Sequence, residues 1–255
     1  AANSDSVFYL IFLLSTFFFV LLMVLMVYFT LKYRRQAGKP AERSVQHNTV
    51  LELAWSVIPT ILLAWMFFEG FFGYTDQLIA PGDAPELVVQ AQKWSWSLTY
   101  PNGAVSPVST RTRAMNSDQE TMGPGKLEAA QETPIFVIPE DQPVRLRMAS
   151  IDVIHSFWVP DFRAKFDVFP NRYTSTWFRA SKIRGNNKLP AGAEWGKWAG
   201  APYEDHWVFC AEYCGASHSD MYAILRVVPA NVYQSILADW ASPKGEPWEK
   251  GRFFY

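Results

Sequence analysis

The chain has 255 residues, a net charge of −1 and an aromatic fraction of 16%. Well-mixed charges and the lack of a phosphate-cradling motif argue against nucleic-acid binding, and the high aromatic content favours contact with a membrane. No Cys-x-x-Cys-His run is present, which argues against a c-type haem attached to this chain.

The first predicted element is a membrane-spanning helix over residues 7–31, which include no charged residue. About 20 apolar residues are enough to cross a bilayer as a helix. A signal peptide is the alternative, but its apolar region usually has only about 7–15 residues and follows basic ones. Here Asp5 precedes the stretch and the basic residues follow it, so we favour a spanning helix.

A second apolar stretch, residues 50–74, predicts a second spanning helix that contains Glu52, Pro59 and Glu69. Proline is tolerated in membrane helices, where neighbouring groups satisfy the freed carbonyl. Both glutamates lie near helix ends, where a carboxylate reaches the lipid headgroups. An acidic residue within a span is nevertheless a candidate for function.

The connecting loop, residues 32–49, sets the predicted topology. It holds a single acidic residue against five basic ones, Lys32, Arg34, Arg35, Lys39 and Arg43. Positive charge near helix ends stays on the cytoplasmic side of a membrane. The sequence therefore predicts a helical hairpin over residues 1–74, with both termini and everything after residue 74 in the periplasm or the mitochondrial intermembrane space.

Residues 75–255 form the second predicted domain, in which short β-rich runs separated by turns replace the long apolar stretches. Several short strands with irregular turns predict an all-β sandwich. Two polar surface excursions are expected over 103–133 and 181–205, and a closing helix over 230–240 precedes a polar tail. The predicted strands are 87–92, 135–138, 144–150, 174–179, 206–209 and 222–228.

The only two cysteines lie in one short run with a histidine and a methionine: Cys210, Cys214, His218 and Met221. Thiolate, imidazole and thioether ligands together favour copper, and the second thiolate allows a bridge to a second copper ion. A disulfide and a zinc site are the alternatives. A disulfide leaves the histidine and the methionine unexplained, and methionine is a poor zinc ligand. We therefore favour a dinuclear, thiolate-bridged copper centre.

Two copper ions call for a second imidazole, because this run supplies only one. His155 lies in an apolar segment, where a lone histidine is more often structural than a ligand. However, a residue at the end of a strand and a residue in a loop can lie close together at one end of a β-sandwich, so His155 could join the cysteine run. His47 falls on the predicted cytoplasmic loop, and His206 leads into the strand before Cys210, so His155 is the preferred candidate.

These motifs resemble the subunit II family of cytochrome c oxidase over nearly the whole chain. Residues 210–221 match the family's Cys-x-Glu-x-Cys-x-x-x-His-x-x-Met signature of the CuA copper centre, and the segment around His155 resembles the one that supplies the other histidine. Residues 165–172 resemble the family's Lys-x-Asp-x-x-Pro-Gly-Arg run, with Asn171 in place of the glycine. Two further stretches resemble the aromatic segment near the copper and the start of the second helix: 94–100 and 51–59.

The resemblance implies a two-helix transmembrane hairpin followed by a cupredoxin domain, which is a Greek-key β-sandwich. It implies that the cysteines bridge both coppers, each histidine binds one and the methionine binds weakly. The implied ligands are His155, Cys210, Cys214, His218, Met221 and the backbone carbonyl of Glu212. The Glu212 side chain is implied to reach a magnesium or manganese ion shared with subunit I. Trp94 is implied to accept electrons from cytochrome c, and Glu52 to stand at the entrance of a proton pathway.

The function implied by the resemblance is electron uptake in a proton-pumping haem–copper oxidase. Cytochrome c is the implied donor, subunit I the haem-containing acceptor that reduces oxygen to water, and subunit III a further partner. A quinol oxidase subunit, a membrane-anchored copper carrier and a metal-free anchor with a disulfide are the alternatives. Quinol oxidases have typically lost these copper ligands, and a closed site with two bridging thiolates suits retention better than delivery.

Two features depart from the family pattern. Residues 181–205 form a longer link before the copper run, and an extra subunit contact or altered docking is expected there. The outer domain is only slightly acidic, with 20 acidic and 18 basic residues after residue 74. Strong attraction for a basic cytochrome is therefore not implied, although a local acidic patch can still steer it.

Overall fold

The computed structural model of the chain describes residues 2–40, 47–106, 108–109, 133–191 and 195–241. It divides into two compact units, Ala1–Asp76 and Gln77–Tyr255. The first unit is helical, and the second consists mainly of β-strands.

The helical unit consists of α1, which spans Ala2–Lys32, and α2, which spans Thr49–Leu78. Both helices are long and apolar enough to cross a membrane. Their large apolar side chains are mostly exposed, which is the arrangement of a helix surrounded by lipid. A Cβ added to Gly73, near the end of α2, would lie 3.7 Å from the side chain of Val7, near the start of α1. The two helices therefore form an antiparallel hairpin.

The second unit is a two-sheet sandwich closed by a helix. Within the described residues its elements are β1 (Glu86–Gln92), β2 (Ser95–Thr99), β3 (Val108–Ser109), β4 (Thr133–Pro139), β5 (Pro143–Ser150), β6 (His155–Val159), β7 (Ala164–Val168), β8 (Thr174–Arg179), β9 (Glu204–Cys210), β10 (Tyr222–Val228) and α3 (Ala230–Trp240). One sheet has the strand order β2-β1-β5-β8, and the other has the order β3-β4-β10-β9-β6-β7. Strands β1 and β5 pair in parallel, as do β4 and β10. The remaining paired strands are antiparallel.

The core lies between the two sheets. Burial alternates along β1 and β2, so that every second side chain faces the opposite sheet. Full burial of a large apolar side chain contributes about 1.5–3 kcal/mol to folding. The largest fully buried apolar side chains are Phe136, Phe157, Leu87, Leu98, Ile138, Leu146, Met148, Met221, Leu225 and Ile236.

The predicted strands are confirmed as β1, β4, β5, β8, β9 and β10, and the predicted closing helix is confirmed as α3. The sequence pattern misses β2, β3, β6 and β7, which are short and have at most five residues each. Strand β3 falls inside the expected excursion at 103–133. Most of that excursion, and the tail after residue 241, lie outside the described residues.

The segment 181–205, expected to be a surface excursion, packs against the sandwich through its aromatic residues. The rings of Trp195 and Tyr203 lie 4.9 and 4.3 Å from the guanidinium carbon of Arg226. Arg226 is buried and donates two hydrogen bonds of 2.7 Å to the carboxylate of Asp205. A buried arginine needs such partners to offset its lost hydration. The ion pair and the two rings therefore anchor this segment.

Candidate metal centre

Three neighbouring strands deliver the candidate ligands to one end of the sandwich, called the ligand end below. His155 begins β6, Cys210 ends β9, and Met221 lies just before β10. The antiparallel register places Phe157 opposite Cys210, and Phe209 opposite Tyr222. The strand pairing therefore brings together residues that lie far apart in the chain.

The two cysteine sulfurs form the middle of the cluster, and each one faces a different histidine. The Sγ atoms of Cys210 and Cys214 are 3.9 Å apart. Nδ1 of His155 lies 3.7 Å from Cys210 Sγ, and Nδ1 of His218 lies 3.5 Å from Cys214 Sγ. Both cysteines are free thiols, because 3.9 Å is far longer than the roughly 2.05 Å of a disulfide bond.

Two further soft or polar atoms complete the cluster. Sδ of Met221 lies 3.8 Å from Cys214 Sγ, and the thiol of Cys210 donates a 3.2 Å hydrogen bond to the backbone carbonyl of Glu212. The side chains of His155 and Met221 are fully buried, and both cysteines are buried.

The donor set fits a soft metal. A metal–sulfur bond is about 2.3 Å long, so one ion reaches both sulfurs when they are less than about 4.6 Å apart. The observed 3.9 Å separation meets that condition. Ligand atoms of His155, Cys210 and Cys214 all lie within 4.8 Å of one another. Thiolate and thioether donors favour copper over magnesium or calcium.

The two thiols differ in acidity. Burial acts to raise the pKa of Cys210, but hydrogen bonds with His155 and with the backbone lower it to about 7. Burial and the neighbouring charge of Cys210 raise the pKa of Cys214 to about 12. The direction of the two shifts favours one thiolate in this pair, and metal binding displaces the proton of the second thiol.

Trp94 lies beside the cluster and is partly exposed. Its indole N–H donates a 3.3 Å hydrogen bond to the backbone carbonyl of Cys214. Gly215 has a φ of 120°, and a Cβ at this position would contact the indole ring at 3.4 Å. The positive φ favours glycine here, while a Cβ would make only ordinary van der Waals contact with the ring. The sequence pattern indicates no role for Gly215, because its contact with the ring joins positions 121 residues apart.

The side chains of the other predicted residues lie outside the sulfur cluster. The Glu212 side chain is exposed. Tyr213, which the sequence pattern does not indicate, is also exposed, and its ring lies edge-on to His218 with centroids 5.7 Å apart. Glu52 lies in the first turn of α2, where it accepts a 3.2 Å hydrogen bond from the backbone N–H of Asn48. This contact caps the helix, a role that the sequence pattern did not indicate.

The remaining histidines have other partners. Nδ1 of His206 lies 2.7 Å from the carboxylate of Asp161, and its ring packs against Phe162. Nδ1 of His47 lies 3.5 Å from Glu52 in the helical unit. Neither histidine belongs to the sulfur cluster, which contains His155 and His218.

A β-sandwich with a soft-donor cluster at one end, in a chain that begins with two membrane-type helices, defines a membrane protein with a cupredoxin-like metal domain. Residues 3–71 match the family model for the cytochrome c oxidase subunit II transmembrane domain, and residues 87–185 match the model for its periplasmic domain. Together the two matches take in more than half of the chain, which belongs to the cytochrome c oxidase subunit II family. The expected fold class is confirmed.

Several bacterial relatives have similar sequences. The chain is 26% identical over 232 residues to "Alternative cytochrome c oxidase subunit 2" of Bradyrhizobium diazoefficiens, covering 89% of this chain and 76% of the relative. It is 26% identical over 249 residues to "Cytochrome c oxidase subunit 2" of Mycobacterium bovis, covering 83% of this chain and 64% of the relative. The chain thus spans less than two thirds of the mycobacterial protein's length.

Among solved structures, the periplasmic domain of subunit II of cytochrome oxidase (CoxB) of Bradyrhizobium japonicum is similar, with 24% identity and a TM-score of 0.45. The similarity covers 63% of this chain and 96% of that one. The family-model match to the periplasmic domain includes His155 but ends before Cys210. The arrangement of the cysteine run is therefore an observation independent of that match.

Proposed function

We propose that the chain is the electron-accepting subunit of a cytochrome c oxidase and holds a dinuclear copper centre, CuA, at the ligand end. In this role it takes electrons one at a time from cytochrome c. It passes them to haem in subunit I, where oxygen is reduced to water with proton pumping. Membership in the subunit II family supports this proposal.

One observation carries the proposal: two thiols, two imidazoles and a thioether converge in one small, largely buried volume. His155 and Cys210 are 55 residues apart in the chain, yet their ligand atoms are separated by only 3.7 Å. A disulfide-bearing anchor does not explain why the two imidazoles and the thioether lie beside the thiols. A zinc site leaves the methionine without a role.

The chain's own residues define what the site does. Cys210 and Cys214 would hold both metal ions, because each sulfur faces the other sulfur and a different imidazole. His155 and His218 would each bind one metal ion, and Met221 and the carbonyl of Glu212 would be the weaker ligands. When bound, a copper pair stores one electron shared over two metals and two sulfurs. The β-strands hold the ligands in place, so that little rearrangement accompanies each transfer.

Glu212 has a second proposed role. Its carbonyl lies at the cluster, while its carboxylate is exposed and available to a magnesium or manganese ion shared with subunit I. Carboxylate oxygen is a preferred ligand for both ions. Glu212 thus links the ligand end to the boundary with subunit I.

Trp94 is the proposed point of electron uptake from cytochrome c. Its ring is partly exposed, and its N–H contacts the carbonyl of Cys214, a bridging ligand. An electron donor that contacts the ring is therefore separated from the backbone of Cys214 by a single hydrogen bond. A tryptophan that only packs at the surface would not need the hydrogen bond to the Cys214 carbonyl.

The helical unit anchors the chain in the membrane, and we propose that it also contacts subunit I and subunit III. The basic charge of the loop supports a topology in which residues 32–49 are cytoplasmic and the β-domain lies in the periplasm or the intermembrane space. Glu52 is proposed to stand at the entrance of a proton pathway into subunit I. Its half-exposed carboxylate caps α2 and remains accessible.

The test is the copper content and the electron paramagnetic resonance spectrum of the purified oxidase. We expect two coppers on this chain and the hyperfine pattern of one unpaired electron shared by two copper nuclei. Replacing Cys214 with serine should abolish that pattern, whereas His206→Ala should preserve it, because His206 lies outside the cluster.

Other results would assign another function. One copper or a zinc ion per chain would contradict the dinuclear centre, and no metal would favour the disulfide-bearing anchor. Ready release of copper to an acceptor protein would favour the copper carrier. Oxidation of quinol in place of cytochrome c would favour the quinol oxidase subunit.

A further inference from the structure

The carboxylate of Asp152 lies where the β1–β2 turn meets the start of β6, and it has partners on both sides. One oxygen, Oδ1, accepts hydrogen bonds from Nε2 of His155 at 2.9 Å and from the backbone N–H of Val153 at 2.6 Å. The hydroxyl of Ser150 lies 3.2 Å from the same oxygen. The other oxygen, Oδ2, accepts the backbone N–H of Lys93 at 2.7 Å.

We propose that Asp152 is a positioning residue that joins the copper ligand His155 and the turn bearing Trp94 into one unit. This inference rests on the proposed function, because it assigns Asp152 a part in metal binding and in electron uptake. It adds a residue that touches neither the metal nor the electron donor.

Asp152 fixes the orientation of His155. Its ring is fully buried, and its Nδ1 faces Cys210 at 3.7 Å. When Nε2 carries the proton and donates it to Asp152, Nδ1 keeps a free lone pair for the metal. The Trp96 ring lies edge-on to the imidazole, with centroids 6.0 Å apart, and limits its rotation. Asp152 therefore selects both the tautomer and the direction of the ligand.

Asp152 also fixes the backbone beside Trp94. Lys93 directly precedes it, so the bond from the Lys93 N–H to Asp152 fixes the backbone on which the indole stands. The indole itself is held by the carbonyl of Cys214. These contacts form a closed circuit that runs from Asp152 through His155, the two cysteines and Trp94 back to Asp152.

Asp152 accepts hydrogen bonds from three groups of the domain, His155 and the backbone N–H groups of Lys93 and Val153. Its side chain is only 29% exposed, so it is mainly directed to partners within the domain.

The domain supplies a matched control. Asp161 accepts a contact from His206 at 2.7 Å, which is the same pair of residue types, but neither residue belongs to the cluster. Asp161 is 62% exposed, compared with 29% for Asp152. Asp161→Asn therefore tests the loss of an aspartate–histidine contact without touching the proposed circuit.

The experiment compares Asp152→Asn, Asp152→Ala and Asp161→Asn in the complete oxidase and in the metal-free full chain. Cu(I) affinity is measured in the metal-free chain by competition with a chelator. The nitrogen hyperfine couplings of the two histidines and the rate of electron uptake from cytochrome c are measured in the oxidase. Loss of a hydrogen-bonding partner to a ligand typically costs about 10–100-fold in affinity or activity.

We expect both Asp152 variants to lower Cu(I) affinity about 10–100-fold, to change the coupling of His155 but not of His218, and to slow electron uptake. Asp161→Asn should match the wild type. The asparagine variant keeps the volume and one acceptor oxygen, so it tests the inference if the alanine variant fails to fold.

Wild-type affinity and spectra in Asp152→Asn would overturn the inference, and so would an effect limited to the KM for cytochrome c, which would place Asp152 on a docking surface. Both results leave the proposed function intact as long as the wild type holds its copper pair. Failure of the proposed function would instead appear in the wild type, as the absence of that pair.

Discussion

Replacing Gly215 with alanine should weaken the hydrogen bond between Trp94 and the backbone carbonyl of Cys214. Gly215 has a φ of 120°, a conformation that costs a residue with a Cβ about 1–3 kcal/mol. Relaxing this angle rotates the preceding peptide group, which carries the Cys214 carbonyl that accepts the indole N–H at 3.3 Å. Loss of that bond adds about 0.5–1.5 kcal/mol. We therefore expect the free energy of unfolding of the β-domain to fall by roughly 1.5–4.5 kcal/mol.

Gly103→Ala is the matched control. Gly103 has a φ of 83°, and a Cβ at this position would meet no atom within 4 Å, so alanine there carries the backbone strain without a tryptophan neighbour. Thermal unfolding of the full chain gives the stability difference, and rapid-mixing kinetics with reduced cytochrome c give the rate of electron uptake. We expect slower uptake in Gly215→Ala only. Equal stability losses in the two variants, with wild-type uptake in both, would refute the reasoning.

Three further predictions concern the proposed roles. Trp94→Phe removes the N–H that contacts Cys214, so electron uptake from cytochrome c should slow while the copper spectrum stays the same; unchanged kinetics would remove Trp94 from the pathway. Glu52→Ala should slow proton uptake and turnover without altering the copper; Glu52→Gln keeps an acceptor for the α2 cap, so a normal rate in that variant would reduce Glu52 to a capping residue. Copper affinity should rise with pH, because metal binding displaces the thiol protons. Because burial and the neighbouring charge of Cys210 raise the pKa of Cys214, at least one thiol proton is still displaced near neutral pH, and chelator competition should show a rise of about tenfold per pH unit there; a flat profile would contradict the two-thiolate site.

The sequence was most informative where a residue pattern and its local structure coincide. The strand over residues 174–179 and the helix over residues 230–240 have the predicted bounds, because turn residues or proline flank them and their apolar spacing is regular. Strand β6 is missed because it has only five residues, beginning at the candidate ligand His155 and ending before Pro160. Short strands acquire their stability from pairing with neighbours, which a single stretch of sequence does not reveal.

The candidate ligands can be proposed from the sequence alone, but the contacts around them cannot. The spacing of Cys210, Cys214, His218 and Met221 indicates a soft-metal site by itself. The bond between Asp152 and the backbone of Lys93 joins residues 59 positions apart. It depends on how the β1–β2 turn meets the start of β6, and no local pattern encodes that. Asp152 lies three residues before His155 in the sequence, but this spacing alone does not show that the two side chains are in contact.

The position of β10 has a consequence for biosynthesis. This strand follows the last ligand, Met221, and lies in the interior of its sheet between β4 and β9. A sheet cannot close around a strand that has not yet been made, so the ligand end can assemble only after residue 228 has been synthesised. In the proposed topology this strand must also cross the membrane, so copper insertion into the proposed centre is a late step, and until it occurs two adjacent thiols lie in a compartment that tends to oxidise them. The proposed centre therefore depends on copper and a reductant that are supplied to the finished sandwich.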